Sequence, residues 1–151
     1  MKTEVVKITD PNWDEKVKHL GEIIRNGGLV AFPTETVYGL GGNGLDPEAA
    51  KKIYAAKGRP SDNPLILHVS SQEEVSRLVE DITPLEKKLM DAFWPGPLTV
   101  IANRSASVPS NVSCGLNTVG IRFPSHPVAR ALIEAAGVPV AAPSANLSGK
   151  P

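Results

Sequence analysis

The sequence predicts an α/β fold whose sheet is at least partly parallel. Short apolar runs alternate along the chain with segments in which apolar residues recur every three or four positions, as expected for strands separated by amphipathic helices. The 151 residues are 41% hydrophobic, which suffices for one domain with a core and excludes a disordered chain. Because the chain also holds 13 Gly and 14 Pro, loops are prominent and their positions are informative.

The first part of the chain is predicted to form two strands and two helices. Aspartate with a following proline is typical of a helix start, and paired glycines are typical of a helix end. The predicted elements are a half-buried strand over 3–8, a helix from Asp10-Pro11-Asn12 to Gly27-Gly28, a strand covered on both faces over 29–32, and a helix from Asp46-Pro47 to about Ala56.

The second part is predicted to alternate in the same way. Thr83 and Glu86 have the spacing of a capping box, and Gly137 closes the last helix. The predicted elements are strands over 65–69, 98–102, 118–123 and 138–142, a helix from Ser70 through Val79, a helix from Thr83-Pro84 to near Trp94, and a helix over 126–136.

Charge and cysteine content exclude several classes of protein. Sixteen basic residues balance sixteen acidic ones, which argues against nonspecific wrapping of nucleic acid. Yet residues 92–151 carry four bases and one acid, Glu134. No apolar stretch approaches the roughly 20 residues that span a bilayer, the N-terminus does not open a signal peptide, and Cys114 is the one cysteine. We therefore expect a cytoplasmic protein that does not contact membranes.

Polar, glycine-rich loops follow the predicted strand ends, where ligands collect in open α/β sheets. Residues 33–44 contain Thr34, Thr36, Tyr38 and four glycines. Such a loop lets backbone amides approach a ligand closely, although a flexible connection would have the same composition. The loop is not a phosphate-binding Walker loop, because it lacks the Gly-Lys-Ser/Thr ending.

A second loop carries two cations. Gly58 and Pro60 fix the backbone so that Lys57 and Arg59 can converge, as a polyphosphate site requires. The alternative is that both cations only complement the dipole of the preceding helix. Asn63 adds a neutral donor and acceptor to the same loop.

Arg122 lies inside an apolar strand and needs a partner, since arginine is rarely buried alone. That partner is either an acid or an anionic ligand. Because Glu134 is the one acid in the last sixty residues, the sequence favours the ligand. His68 on a buried strand is more often a core histidine than a catalyst, and Trp94 is expected to pack in the core. The histidines have no clustered partners for zinc, and Cys114 has no nucleophile arrangement.

Five blocks, in this order and spacing, resemble the YrdC-like family, specifically the TsaC-type threonylcarbamoyl-AMP synthases. Each block alone is weakly specific, whereas the ordered set is highly specific and spans residues 29–149. The blocks are Pro33-Thr34-Glu35-Thr36-Val37-Tyr38-Gly39-Leu40, Lys57-Gly58-Arg59-Pro60 with Asn63-Pro64-Leu65, Pro95-Gly96-Pro97-Leu98-Thr99, Arg122-Phe123-Pro124, and Pro143-Ser144-Ala145-Asn146.

The resemblance implies a twisted, open, mixed parallel and antiparallel sheet with flanking helices around a deep basic cavity. It implies that L-threonine, bicarbonate or CO2, and ATP react to give threonylcarbamoyl-AMP and pyrophosphate. We further expect Mg2+ on the phosphates of ATP, held by no protein side chain. Downstream transferase proteins would place the threonylcarbamoyl group on tRNA.

The resemblance also assigns residues. The nucleotide would be bound by Lys57, Arg59, Asn63, Thr118, Ser144 and Asn146, with Lys57 and Arg59 catalytic. L-threonine would be bound by Thr34, Thr36, His68, Arg122 and Ala142.

Members of this family continue beyond the last block with a Ser-Pro-Thr segment and further strands. The sequence is therefore predicted to be a single domain over 1–151 that lacks its C-terminal strands, so that the nucleotide site is incomplete. Two other functions stay open. One is a carbamoyl-transferring domain of the hydrogenase-maturation type, and the other is a non-catalytic module that binds double-stranded RNA or tRNA, which seven aromatic residues and zero net charge disfavour.

Overall fold

The computed structural model describes residues 3–9, 11–58 and 63–145. These residues contain four helices and six strands, most of them at the positions that the sequence predicts. The helices are α1 (Trp13–Arg25), α2 (Pro47–Lys57), α3 (Pro84–Phe93) and α4 (Pro127–Ala136), and the strands are β1 (Val30–Phe32), β2 (Gly39–Asn43), β3 (Ile66–His68), β4 (Thr99–Asn103), β5 (Thr118–Arg122) and β6 (Val140–Ala142). None of the described helices is long and apolar enough to cross a membrane.

The strands form one open, mixed sheet in the order β1-β2-β6-β3-β5-β4. The neighbours β3 and β5 are parallel, whereas the other paired strands are antiparallel. This confirms a partly parallel sheet. The parallel register places His68 beside Arg122, so the carboxyl ends of β3 and β5 meet at the same edge of the sheet.

Apolar side chains pack on both faces of the sheet. On one face, Leu67 and Ile121 pack with buried residues of α2 and α3. On the other face, Phe32 and Val140 pack with residues of α1 and α4. Successive strand residues point to opposite faces, so His68, Arg122 and Ala142 lie on the same face as Val140.

The helix ends follow local rules that the sequence displays. The Asp46 side chain accepts a hydrogen bond from the Glu48 amide at 2.9 Å and caps α2. Thr83 and Glu86 form the predicted capping box of α3. Gly58 ends α2 in the left-handed region, at a φ of 65°, which favours glycine. Gly58 thereby fixes the position of Lys57, the last residue of α2.

Three predictions about secondary structure were wrong. Residues 3–9 form no strand, and Val5 is 82% exposed, because the described part of the sheet places no neighbouring strand there. The helix predicted from 70 to 79 is one short 3-10 turn, Glu73–Arg77. The Glu74 carboxylate accepts hydrogen bonds from the Ser70 and Ser71 amides at 2.6 and 3.2 Å, which fixes the backbone just before this turn.

The third error concerns β2, which lies within the segment interpreted as a glycine-rich loop. Its glycines serve close packing. A Cβ at Gly41 would lie 2.6 Å from a Val140 methyl carbon and 2.7 Å from the Phe32 ring, and one at Gly42 would crowd Leu29 and Ile53. Glycine has a low intrinsic preference for strands. This strand therefore forms because β1 and β6 pair with it on its two sides.

Helices α1 and α4 approach each other closely at Gly21. A Cβ there would lie 2.6 Å from the backbone carbon of Ala135 and 2.7 Å from the amide nitrogen of Ala136. Four residues further along α1, the Arg25 guanidinium donates to the carbonyl oxygens of Ala135 and Ala136 at 2.8 and 3.0 Å. It thus satisfies carbonyls at the C-terminal end of α4 that have no helical partner.

We expect Gly21→Ala to destabilise the fold by about 1–3 kcal/mol, because the added methyl must displace backbone atoms of α4. The helix propensity of alanine, about 1 kcal/mol better than that of glycine, would alone give the opposite sign. Urea unfolding measures the change, with exposed Glu22→Ala on the same helix as the control. A Gly21→Ala variant at least as stable as the parent would contradict this packing.

Candidate functional site

Residues from four strand ends surround a small pocket of about 140 Å³. The strand β6 continues into residues 143–145, which pair with the start of β2 through the bonds Leu40 N to Pro143 O (3.0 Å) and Ala145 N to Tyr38 O (2.8 Å). The pocket is lined by Thr34, Val37, Gly39, Ile66, His68, Arg122, Ala142, Pro143 and Ser144.

Five residues predicted at the site, Thr34, His68, Arg122, Ala142 and Ser144, therefore line one pocket. A larger cavity of about 690 Å³ lies elsewhere, beside Glu80, Asn103 and Arg104. It contains none of the predicted site residues, so we identify the candidate site by its chemistry and not by volume.

The Arg122 guanidinium is held by three residues from two segments. Its Nε donates to the Gly96 carbonyl oxygen at 3.3 Å, its Nη1 donates to Thr36 Oγ1 at 3.3 Å, and its Nη2 pairs with the Glu35 carboxylate. The partner acid that the sequence analysis sought among the last sixty residues thus comes from the loop between β1 and β2. The prediction that an anionic ligand, and not an acid, compensates the buried charge of Arg122 was therefore wrong. That Arg122 also binds a ligand stays a prediction.

The Glu35 carboxylate has a second set of partners at the entrance to α4. The Ser125 amide donates to Glu35 Oε2 at 2.5 Å, and the Ser125 hydroxyl donates to the same oxygen. Burial by itself raises the pKa of Glu35, but the Ser125 hydrogen bonds and the charge of Arg122 outweigh it and lower the pKa. Glu35 is therefore ionised at neutral pH.

The hydroxyls of Thr34 and Thr36 organise the loop between β1 and β2. Thr34 Oγ1 donates to the Val37 carbonyl oxygen at 2.6 Å and accepts from the Thr36 amide at 3.2 Å. The two threonine hydroxyl oxygens lie 3.1 Å apart. Because Thr36 also accepts from Arg122, the loop and the end of β5 form one hydrogen-bonded unit.

His68, at the end of β3, is buried and contacts Phe32 of β1. Its Nδ1 lies 3.0 Å from the Ile66 carbonyl oxygen, and its ring meets the Phe32 ring edge-on at 6.1 Å between centroids. Burial lowers the pKa of His68 to about 4, and the positive charge of Arg122 acts in the same direction. The neutral ring is thus a satisfied core histidine, as predicted, that also faces the pocket.

Lys57 is 3% exposed. Its Nζ donates to the Ser144 carbonyl oxygen at 2.6 Å. This bond connects the end of α2 to the segment after β6, two regions that the sequence analysis assigned to nucleotide binding. Complementing the dipole of α2 is therefore not the whole role of Lys57.

The other predicted nucleotide residues lie away from this pocket or outside the described residues. Asn63 is exposed, and its carbonyl oxygen accepts from the Tyr54 hydroxyl at 3.1 Å. Thr118 begins β5 on the same face as Arg122, about 13 Å away by strand rise. Arg59 and Asn146 lie outside the described residues.

Reasoning from sequence missed Glu35, Ser125 and Gly96 as site residues. Glu35 is the only acid in the glycine-rich segment 33–44, and Ser125 directly follows the Arg122-Phe123-Pro124 block. Trp94 is buried as predicted and donates from its indole nitrogen to the Leu98 carbonyl oxygen at 2.8 Å. Within the described residues, no group of three His, Cys, Asp or Glu side chains could hold a metal ion.

Comparison with known proteins identifies the family. A family model named Sua5_yciO_yrdC, with the description telomere recombination, matches residues 22–151. The chain belongs to this family. The open mixed sheet with four helices is accordingly the YrdC-like fold.

Two relatives in the Sua5/YciO/YrdC family match nearly the whole chain. The threonylcarbamoyl-AMP synthase of Pyrococcus abyssi (strain GE5 / Orsay) is 48% identical over 149 residues, which are 99% of this chain and 44% of that protein. The threonylcarbamoyl-AMP synthase of Bacillus subtilis (strain 168) is 49% identical over 156 aligned residues, which cover 100% of this chain and 45% of that protein. The chain thus spans less than half the length of these relatives.

A solved structure agrees with the match in sequence. The crystal structure of P. abyssi Sua5 complexed with L-threonine is 49% identical, with a TM-score of 0.90, and the match covers 98% of this chain and 42% of that chain.

The burial of His68 predicts that stability depends on pH. The unfolded histidine has a pKa near 6.5, so between pH 6.5 and about 4 only the unfolded chain binds this proton, and stability falls as the pH falls. We expect the free energy of unfolding to decrease by about 2 kcal/mol between pH 7 and pH 5 on account of this residue.

Urea unfolding across this pH range tests the expectation. His68→Phe removes the titrating group and should flatten the dependence, whatever its stability at pH 7. The control His19→Gln changes a histidine whose side chain is 56% exposed and should keep the dependence. An equal slope in the parent and in His68→Phe would refute the assignment.

Proposed function

We propose that the chain contributes the amino-acid site and part of the nucleotide site of an L-threonylcarbamoyladenylate synthase. The substrates would be L-threonine, bicarbonate or CO2, and ATP, and the products threonylcarbamoyl-AMP and pyrophosphate. The observation that carries the proposal is the pocket beside Arg122, where a fixed guanidinium, a neutral imidazole and a hydroxyl surround a space for a small polar molecule. The 49% identical Sua5 structure, which holds L-threonine, supports this choice of substrate.

The pocket offers a group for each part of threonine. Arg122 suits the substrate carboxylate, since a guanidinium presents several donors in one plane. Thr34 lines the pocket, Thr36 supplies the hydroxyl that accepts from Arg122, and Ala142 leaves room at the end of β6. His68 stays neutral, so that it can exchange a hydrogen bond with the threonine hydroxyl without adding charge.

The nucleotide would lie toward the loop after α2. Lys57 is placed by its bond to Ser144, and a cation held in a fixed position stabilises phosphate charge without reorganisation. Arg59, Asn63, Thr118, Ser144 and Asn146 complete the proposed nucleotide set. A deep basic cavity between these residues and Arg122 belongs to the same proposal.

The proposed reaction needs no covalent nucleophile. The threonine amine adds to CO2 and loses a proton, and an oxygen of the resulting carbamate attacks the α-phosphorus of ATP while pyrophosphate leaves. Positioning of the two substrates and cationic stabilisation by Lys57 and Arg59 would carry the rate. The described residues offer no carboxylate cluster for Mg2+, and Glu35 is engaged by Arg122 and Ser125, so we derive no step through a metal.

We place the product in tRNA modification, where downstream transferases would pass the threonylcarbamoyl group to tRNA in the cytoplasm. The similarity to two threonylcarbamoyl-AMP synthases supports the adenylate product.

Calorimetry with L-threonine and ATP tests the proposal directly. We expect L-threonine to bind, with L-alanine and D-threonine binding at least tenfold more weakly because they lack a correctly placed hydroxyl. Binding of tRNA that responds to neither ATP nor threonine would instead indicate an RNA-binding module. Turnover of carbamoyl phosphate would indicate a carbamoyl-transferring domain.

The guanidinium of Arg122 gives a sharper test of the amino-acid site. We expect Arg122→Lys to weaken L-threonine binding at least tenfold, about 1.4 kcal/mol, because an ammonium keeps the charge but loses the planar fork. Exposed Arg77→Lys is the matched control and should bind like the parent. Unchanged calorimetric affinity in Arg122→Lys would exclude Arg122 from the carboxylate site.

Lys57 gives the corresponding test of the nucleotide site. We expect Lys57→Ala to weaken ATP binding and to slow ATP–pyrophosphate exchange, with threonine and bicarbonate present, by about 2–4 kcal/mol of transition-state stabilisation. Arg59→Ala should lose a similar amount. Lys51→Ala, which removes an exposed lysine paired with Glu48 on the same helix, should leave both measurements unchanged. Full exchange activity in Lys57→Ala would rule out the assigned role.

A further inference from the structure

Arg122, the proposed ligand of the substrate carboxylate, already pairs with an acid, Glu35. Arg122 lines the pocket, whereas Glu35, which pairs with its guanidinium, is not among the lining residues. The Arg122 and Glu35 side chains are 10% and 21% exposed, so water screens their charges only in part. The guanidinium therefore lines the pocket with a carboxylate fixed beside it.

Glu35 is held in this position by groups other than Arg122. Ser125 donates to it from both its amide and its hydroxyl, and the neighbouring Thr36 is bonded to Arg122 and to Thr34. The loop between β1 and β2, the end of β5 and the entrance to α4 thus fix one carboxylate against one guanidinium. Nothing in this geometry requires Glu35 to leave when a ligand enters the pocket.

We propose that Glu35 is a positioning and specificity residue that makes the Arg122 site select a zwitterionic amino acid over simple anions. With Glu35 present, the pair of charges at the pocket has no net charge and matches a ligand that also has none. Without it, the guanidinium would attract any small anion. This inference rests on the proposed function, since it takes the ligand of Arg122 to be an amino-acid carboxylate.

The charges of an amino acid suit this arrangement. The α-ammonium is joined to the carboxylate through a single carbon, so a ligand whose carboxylate contacts Arg122 brings its ammonium near Glu35 as well. The ammonium is attracted to the Glu35 charge, whereas an anion without an ammonium is repelled by it. Such selection matters in a site that must also work beside bicarbonate and the phosphates of ATP.

Glu35→Gln tests the proposal because it keeps the size of the side chain and removes its charge. The probes are L-threonine and 3-hydroxybutyrate, which is threonine without its amino group, each titrated calorimetrically into the parent and the variant. We expect Glu35→Gln to weaken L-threonine binding and to strengthen 3-hydroxybutyrate binding, each at least fivefold. A loss of packing or of folding would weaken both ligands, so opposite changes are specific to the charge.

Two further variants complete the experiment. Glu35→Asp keeps the charge and should retain the preference for L-threonine over 3-hydroxybutyrate. Glu48→Gln removes an exposed carboxylate that pairs with Lys51 and should behave like the parent with both ligands. Changes of the same direction and size for both ligands in Glu35→Gln would overturn the proposal.

The test also separates this inference from the proposed function. If the parent binds L-threonine and Glu35→Gln alters both ligands equally, the proposed function stands and the charge selection fails. If neither protein binds L-threonine but Glu35→Gln gains affinity for 3-hydroxybutyrate, the charge selection stands and threonine is the wrong ligand.

Discussion

The site depends on the placement of one buried cation. A guanidinium with little access to water must be compensated by acceptors of good geometry, since desolvation otherwise costs several kcal/mol. Arg122 obtains these acceptors from two segments that are far from it in the chain, the loop between β1 and β2 and the turn at Gly96, and Ser125 before α4 donates to the carboxylate of Glu35. The hydrogen bonds of this one side chain thus hold together the segments around the pocket.

The parallel pairing of β3 with β5 makes this convergence possible. It sets His68 and Arg122 side by side, and the antiparallel pairing of β3 with β6 adds Ala142 beside Ile66. Beyond β6, Ser144 accepts from Lys57, which connects the pocket to the end of α2. Zero net charge over the chain is therefore compatible with anionic substrates. Single cations such as Lys57 and Arg122 are fixed at defined positions, so no extended basic surface is needed.

Local features of the sequence predicted local features of the structure. The caps at Asp46, Thr83 and Gly137 involve residues within four positions of each other, so their patterns are readable without the fold. The strand β2 was missed because its glycines are needed for close packing against Phe32 and Val140. These contacts arise only from the order of the strands in the sheet, which the sequence does not display. Residues 3–8 show the converse, since their alternating pattern forms no strand where the described part of the chain places no partner strand beside it.

The same limit explains why Arg122 was identified and its partner was not. An arginine in an apolar run is visible in the sequence, but Glu35 lies 87 residues away and is brought near only by the sheet. Likewise, Lys57 and Ser144 were each expected at the nucleotide, yet the bond between them spans 87 residues. The sequence singled out residues such as Arg122 and Lys57 one at a time, whereas the contacts that they make depend on the folded topology.

The presence of the ion pair itself calls for an explanation other than stability. Replacing a buried pair by well-packed apolar residues is often neutral or stabilising, because the desolvation of both ions offsets their attraction. Stability alone would therefore not favour Glu35 and Arg122 over two apolar side chains. The proposed recognition of a carboxylate gives a reason for the guanidinium, and the proposed selection against other anions gives a reason for the charge that pairs with it. The hydrogen bonds from Ser125 and the charge of Arg122 keep the Glu35 carboxylate ionised and fixed in its place.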